Sequence, residues 1–361
     1  MARHAQVFRL PMSGPEDVSQ IAALIGNGSL DPSQIVAILG KTEGNGCVND
    51  FTRGYATQSL KAMLAAHLST EAVAQVPLVM SGGTEGGLSP HWIVISQTEG
   101  PETDGAALAV AGVITRALSP NEIGRRPQAD LVRDAVQEAM AKAGIIDPED
   151  VHFVQIKCPL LTSERAASVA GDVATDNMLK SMGLSRGASA LGVALALGEI
   201  DSLDDAQIGQ DLSLWSSRAS CSSGIELMAC EVVVMGQSAL WGGPLRIAHE
   251  VMQDAIDAPA VLRLLSQAAP ETPIQAAQDR IVAVLGKAEA SATGRIRGKR
   301  HTMLEDSDIS STRHARGFVG GLLAGLIGHT ELFVSGGAEH QGPDGGGPVA
   351  LIFSTEQGSQ E

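Results

Sequence analysis

The sequence predicts an α/β fold made of three homologous α/β repeat units around a pseudo-threefold axis, with the functional site at its centre. Three echoes carry this reading. The first is a serine turn closing an apolar run: Ser81-Gly82-Gly83-Thr84-Glu85 after Val76-Pro77-Leu78-Val79-Met80, and Ser335-Gly336-Gly337-Ala338-Glu339 after Leu332-Phe333-Val334. A looser copy, Ser222-Ser223-Gly224-Ile225-Glu226, lies between them. The second is a β-branched apolar run ending in lysine, Ile35 to Lys41, Ile281 to Lys287 and the shorter Phe153 to Lys157. Such runs read as buried strands. The third falls between each lysine and its serine: Thr52-Arg53-Gly54, Ser185-Arg186-Gly187 and Thr312-Arg313-His314. Each opens a small-residue helical pattern with Ser or Thr at a capping position, which places the arginine at a helix start. A cation there opposes the helix dipole, so another role is expected for it.

Each unit also begins alike, with a strand and then a helix, from Val7, Val113 and Ile247. The order in each is strand, helix, strand-Lys, Arg-helix, strand-Ser, giving units at 1–103, 107–243 and 246–361. A polar linker, Ser96 to Ala106, separates the first two, and Trp241-Gly242-Gly243-Pro244 marks the second boundary. A polar tail follows Ser354.

Composition narrows the function. Lys and Arg number 25 against 41 Asp and Glu, a formal charge of −16, so the chain repels phosphate backbones and no nucleic-acid partner is expected. No apolar stretch approaches the roughly 18 residues of a membrane helix, so no membrane partner is expected. MARHAQVFRLP has no signal-peptide core. Cys47, Cys158, Cys221 and Cys230 show no CxxC or metal-finger spacing, which favours a reduced, cytoplasmic protein.

Gly40-Lys41-Thr42 suggests a phosphate loop, but Ile35 stands where that motif needs glycine. A lysine at a strand end is, in isolation, more often a solvated surface residue, and a serine there is usually a turn residue. Together they form a nucleophile and base if the lysine is neutral enough to take the proton. A nearby carboxylate opposes that neutrality. Lys41 is followed by Thr42-Glu43 and Lys287 by Ala288-Glu289, whereas Lys157 is followed by Cys158-Pro159. Lys157 is therefore the expected base and Ser222 the expected nucleophile, with Lys41 and Lys287 in supporting roles. His301, His314, His329 and His340 lack zinc spacing. Glu289 and the loop from His340 to Pro348 offer the oxygen donors that suit Mg²⁺ or Ca²⁺.

Longer motifs match a known family. GKTEGNGCVNDFTRGYA from Gly40, VMSGGTEG from Val79, HFVQIKCPLLT from His152, MGLSRGASALGVALA from Met182, GKAEAS from Gly286 and the block from Arg300 through SGGAEHQGPDGGGP resemble the cyanuric acid amidohydrolase/barbiturase family. The resemblance spans essentially the whole chain and implies three units in a Toblerone-like arrangement. It implies hydrolytic opening of the s-triazine ring of cyanuric acid to carboxybiuret, which loses CO₂ to give biuret, without a catalytic cofactor. Carried over by motif, Ser222 is the nucleophile and Lys157 the base. Arg53, Arg186 and Arg313 contact substrate with Ser81, Gly82, Ser222, Ser223, Ser335 and Gly336. A structural divalent cation maps to Glu289, Ala338, Gln341, Gly342, Pro343 and Gly346, and the family implies a homotetramer. Cys221 departs from the small residue expected before the nucleophile.

The substrate's own symmetry fits such a pocket. Cyanuric acid has three carbonyls and three ring N–H groups, so three matched Arg and Ser positions can donate to the carbonyls while backbone carbonyls accept from the ring N–H groups. Barbituric acid replaces one ring N–H by CH₂ and leaves an acceptor unpaired. Three rival readings stand beside this one: a barbiturase, a non-catalytic small-molecule binding protein, and a Ser-Lys amidase acting on linear amides.

Overall fold

The computed structural model describes residues 1–270 and 273–356, with strands and helices interspersed along the chain. The first stretch runs β1 (Ala2–Pro11), α1 (Ser19–Gly26), β2 (Ile35–Thr42), α2 (Phe51–Leu64), the short α3 (Thr70–Val73), β3 (Leu78–Gly82) and β4 (His91–Gly100). The second runs β5 (Ala107–Ile114), α4 (Arg126–Ala143), β6 (Val151–Pro159), α5 (Ser163–Ala167), α6 (Met178–Ala196), β7 (Ala219–Gly224), β8 (Glu231–Ser238) and the two-residue β9 (Trp241–Gly242). The third runs β10 (Leu245–Met252), α7 (Ala258–Ala268), α8 (Ile274–Gln278), β11 (Ile281–Ala288), a hairpin of β12 (Arg295–Ile296) and β13 (Lys299–Arg300), α9 (Ser311–Ile327), β14 (Phe333–Gly336) and β15 (Gly347–Ser354).

Three mixed sheets result, ordered β3-β2-β4-β1, β7-β6-β8-β5 and β14-β11-β15-β10. Each therefore lays its main strands in the order third, second, fourth, first. In each, the second and third strands are parallel and the remaining pairs antiparallel. An irregularity recurs at one place, between Ile35 and Ala37, Val151 and Phe153, and Ile281 and Ala283. The short β9 joins the open edge of the first sheet beside β1, where the Arg3 guanidinium lies 4.5 Å over the Trp241 ring.

Strand alternation explains the near-continuous apolar runs. Successive side chains point to opposite faces, so a sheet buried on both faces must be apolar at every position. Ile38, Met80, Trp92 and Val94 pack against the first stretch's helices, while Ala37, Leu39, Val79, Ile93 and Ile95 enter a core shared with the other two sheets. In the third sheet, Val284, Val334 and Leu351 turn to the helices and Ala283, Leu285, Phe333 and Ile352 to the shared core. Lys41 and Lys287 have the parity of the inward set, and so do Ser81 and Ser335. The fold thus delivers them to the common centre.

Three sequence expectations need correction. Each stretch ends in a further strand (β4, β8, β15) beyond the serine turn. The Ser96–Ala106 linker shortens to residues 101–106, because β4 continues to Gly100 by pairing with Ala2–Gln6, its exposed polar end carrying Thr98 and Glu99. The helix caps are Asp50, Asn177 and Ser310, so Arg53 sits in a first turn whereas Arg186 lies more than two turns inside α6.

Candidate active site

The parallel strand pairs set the site's register. Lys41 lies opposite Ser81, Lys157 opposite Ser222 and Lys287 opposite Ser335, each near the C-terminal ends of its strands. All three lysines are buried. Each reaches across to another sheet and donates to the carbonyl of the residue just before that sheet's serine. Lys41 Nζ is 2.5 Å from Val334 O, Lys157 Nζ 2.5 Å from Met80 O, and Lys287 Nζ 2.8 Å from Cys221 O. The contacts close a ring: first sheet to third, third to second, second to first.

The arginines form a second ring in the opposite sense. Arg53 faces Glu226 at 3.8 Å, Arg186 binds both Glu339 oxygens (2.6 and 2.7 Å), and Arg316 pairs with Glu85. Each glutamate lies four residues beyond its serine, in the turn that follows. Arg53 is also held to Cys47 O (2.7 Å) and Ser223 O (3.3 Å). Glycine is needed where these turns fold back. A Cβ on Gly337, at φ +80°, would lie 2.4 Å from the Arg186 guanidinium.

Around these rings Gly46, Arg53, Ser81, Gly82, Met182, Arg186, Ser222, Ser223, Arg316, Ser335 and Gly336 line a small central pocket. A wider cavity of about 370 Å³ opens from it, walled by segments that include Asn45–Cys47, Leu179–Leu184 and Ser310–Arg313. The structure therefore brings together every expected substrate contact except Arg313. That residue stands at the rim, its side chain 37% exposed, with its Nε on Glu85. Arg316, one helical turn further into α9 and 5% exposed, takes the inner place. The signal was present in the sequence: Arg53-Gly54, Arg186-Gly187 and Arg316-Gly317 share an Arg-Gly pair that Arg313-His314 lacks.

Electrostatics separates the three Lys–Ser pairs. Burial lowers the pKa of every lysine: Lys287 to about 7, Lys41 well below its ordinary value with Arg316 adding to the effect, and Lys157 with Glu226 opposing and Arg53 reinforcing. The expectation that Lys157 is free of acids is wrong. Glu43 is exposed, whereas Glu226, folded back from the turn after β7, lies 3.0 Å from Lys157 Nζ. The carboxylate near Lys157 comes from across the strand pair, where sequence distance gives no hint of it. Ser81 and Ser335 Oγ lie 3.5 and 3.1 Å from their lysines. Ser222 Oγ, among the described residues, has no hydrogen-bond partner, and Ser222 is the most open of the three at 8%. Burial raises the Cys221 thiol pKa well above its ordinary value, so it is no competing thiolate.

Glu289 follows β11 and meets the turn from Ala338 to Gly346. Its oxygens accept from Ala290 N (2.9 Å) and Ala338 N (3.1 Å), and burial with Glu339 nearby raises its pKa. The carbonyls of Ala338 and Pro343 face within the same turn, accepting from Gln341 N and Gly346 N at 2.9 Å each. Gln341 uses its amide oxygen on Cys221 N (2.6 Å). Gly342 and Pro343 line a neighbouring cavity with Glu289 and Ala338. This donor set is all oxygen, the kind that hard cations take. The four histidines do not converge: His340 accepts from Gly209 N (2.7 Å), His314 meets Asp306 and His329 meets Arg9.

Comparison with known proteins agrees with this geometry. The model of the amidohydrolase ring-opening protein family matches residues 6–354. A cyanuric acid amidohydrolase of Azorhizobium caulinodans is 57% identical, covering 98% of this chain and 99% of that one. One from Enterobacter cloacae is 51% identical over 97% of this chain and 99% of its own. The crystal structure of the cyanuric acid hydrolase from A. caulinodans superposes with a TM-score of 0.92, covering 98% of this chain and 99% of that chain. A second cyanuric acid hydrolase structure, 48% identical and described as an innovation by structural concatenation, superposes at 0.94 over 98% of this chain and all of its own. The chain therefore belongs to the ring-opening amidohydrolase family, hydrolases of the C–N bonds of cyclic amides.

Proposed function

We propose that this enzyme opens the s-triazine ring of cyanuric acid to carboxybiuret, which loses CO₂ to give biuret, as a step of s-triazine degradation. The observation that carries this reading is the closed ring of three Lys-to-carbonyl contacts around one pocket, matched by a ring of Arg–Glu pairs. A ligand with three equivalent carbonyls and three equivalent N–H groups satisfies such a pocket in any of three orientations. In this reading the repeat units span 1–103, 107–243 and 246–361 and sit about a pseudo-threefold axis through the pocket.

Ser222 Oγ attacks a ring carbonyl carbon while Lys157 takes its proton. Donors around the Ser222-Ser223 turn, with Arg186 Nη1 3.4 Å from Ser223 Oγ, stabilise the oxyanion. The tetrahedral centre collapses, the ring C–N bond breaks and the proton passes to the departing nitrogen; water then releases the acyl group. Arg53 and Arg316, with Ser81, Gly82, Ser335 and Gly336, hold the ring in register, and Lys41 and Lys287 polarise their serines. Glu289 and the oxygens of Ala338, Gln341, Gly342, Pro343 and Gly346 would hold a structural Mg²⁺ or Ca²⁺, whose role would be structural and not catalytic. The chain acts in the cytoplasm as a homotetramer, and among the described residues no helix is long and apolar enough to cross a membrane.

Biuret release from cyanuric acid, measured beside ring opening of barbituric acid, tests the reading. Turnover of cyanuric acid by the wild type and none by Ser222→Ala supports it. Turnover of barbituric acid alone identifies a barbiturase, and cleavage of a linear amide alone rejects the cyclic substrate.

A further inference from the structure

Three glutamates occupy equivalent places after the three serines, yet their partners differ. Glu339 is clamped by Arg186 through both oxygens, and Glu85 is shared by Arg316 and Arg313. Glu226 is not clamped. Arg53 approaches it only at 3.8 Å, because its Nη atoms are occupied by the Cys47 and Ser223 carbonyls. Among the described residues, Lys157 is thus the one lysine of the three with a carboxylate oxygen within 4 Å, at 3.0 Å. Glu226 folds back over Gly224, where an added Cβ would lie 2.1 Å from its Oε2. Its side chain is 6% exposed, the Lys157 contact is an ion pair, and among the described residues neither carboxylate oxygen has a hydrogen-bond partner.

We propose that Glu226 is the positioning residue that selects Lys157 and Ser222 as the reacting pair, by orienting the Lys157 amine and stabilising the ammonium formed when Ser222 gives up its proton. This rests on the assignment of Lys157 as base. The Ser222 O–H bond breaks as the Oγ–C bond forms; the proton sits on Lys157 Nζ beside the carboxylate and later moves to the leaving ring nitrogen. Glu226 itself stays ionised, as the orienting acid of a catalytic triad does. Clamped by arginines, Glu85 and Glu339 cannot give Lys41 or Lys287 the same support. The groups facing this pair are Arg53 from α2, Cys158 and Glu231 on the same sheet, and Arg165 from α5.

The test is the pH profile of kcat and KM for Glu226→Gln against Glu85→Gln and Glu339→Gln. Burial and Arg53 lower the Lys157 pKa and Glu226 opposes them, so activity rises with pH as Lys157 loses its proton, and removing Glu226 moves that limb to lower pH. Glu226→Gln is expected to cut kcat about 10²-fold at the plateau, with KM little changed and the limb displaced. The other two variants free a substrate-binding arginine and raise KM with the limb in place. Glu226→Asp, which keeps the charge, restores part of kcat and guards against misfolding of the glutamine variant. An unmoved limb with near-normal kcat in Glu226→Gln, while Lys157→Ala and Ser222→Ala are inactive, overturns the proposal alone. Turnover surviving in those two variants overturns the assignment beneath it.

Discussion

Lys287 illustrates what burial does to a cation in this molecule. Its pKa falls to about 7 against an ordinary lysine near 10.5, chiefly through lost hydration and then the Arg186 charge. Below about pH 7 it is protonated in both the folded and unfolded states, and its burial penalty is at its largest. Between 7 and 10.5 only the unfolded chain binds the proton, so stability rises with pH across that window. Lys287→Met is therefore expected to be relatively more stable than wild type near pH 7 than near pH 10. Melting curves across that range check it; parallel pH dependence in the two proteins counts against a depressed Lys287. Arg316 acts on binding. Arg316→Ala is expected to raise KM at least tenfold, and Arg313→Ala at the rim far less. Equal effects would return Arg313 to the inner position.

At the scale of elements, the strands were legible because the inward and outward faces are both apolar, which turns alternation into continuous runs. The Lys–Ser pairing was legible from repeat position, and the parallel strand pairs set each lysine opposite its serine. Helix starts were less legible. Asp50, Asn177 and Ser310 cap α2, α6 and α9, and the Thr or Ser beside each arginine misled because it falls within the helix. Asp50 has a second task. Its carboxylate accepts from Thr52 N (3.0 Å) and from Gly46 N (2.8 Å), fixing the loop whose Cys47 carbonyl holds Arg53. Asp50→Ala is expected to cost about 1 kcal/mol in denaturant unfolding and to raise KM as well. A stability loss with unchanged KM would show the cap acting on α2 alone.

For the whole molecule, what the sequence concealed is contact between sheets. No spacing rule pairs Arg53 with Glu226, or Arg186 with Glu339, because those partners meet only once three sheets share one core. The same holds for His152 on β6 and His249 on β10, whose Nδ1 atoms lie 3.0 Å apart. Burial lowers both, to about 4 and 3, with Arg218 adding to the effect and Glu149 opposing it at His152. Both stay neutral in the fold, so the stability they permit is full above pH 6.5 and is lost as pH falls toward 4, where the unfolded chain takes up protons first. His249→Asn is expected to flatten that acid limb in thermal melts; an unchanged limb would place its origin elsewhere.

One of three similar serines, Ser222, is expected to react. Acid quenching during turnover of cyanuric acid, followed by peptide mass analysis, tests it most directly. One intact substrate mass is expected on the peptide carrying Ser222, and none on those carrying Ser81 or Ser335. An adduct on either of the latter, or an adduct distributed over all three, would contradict it.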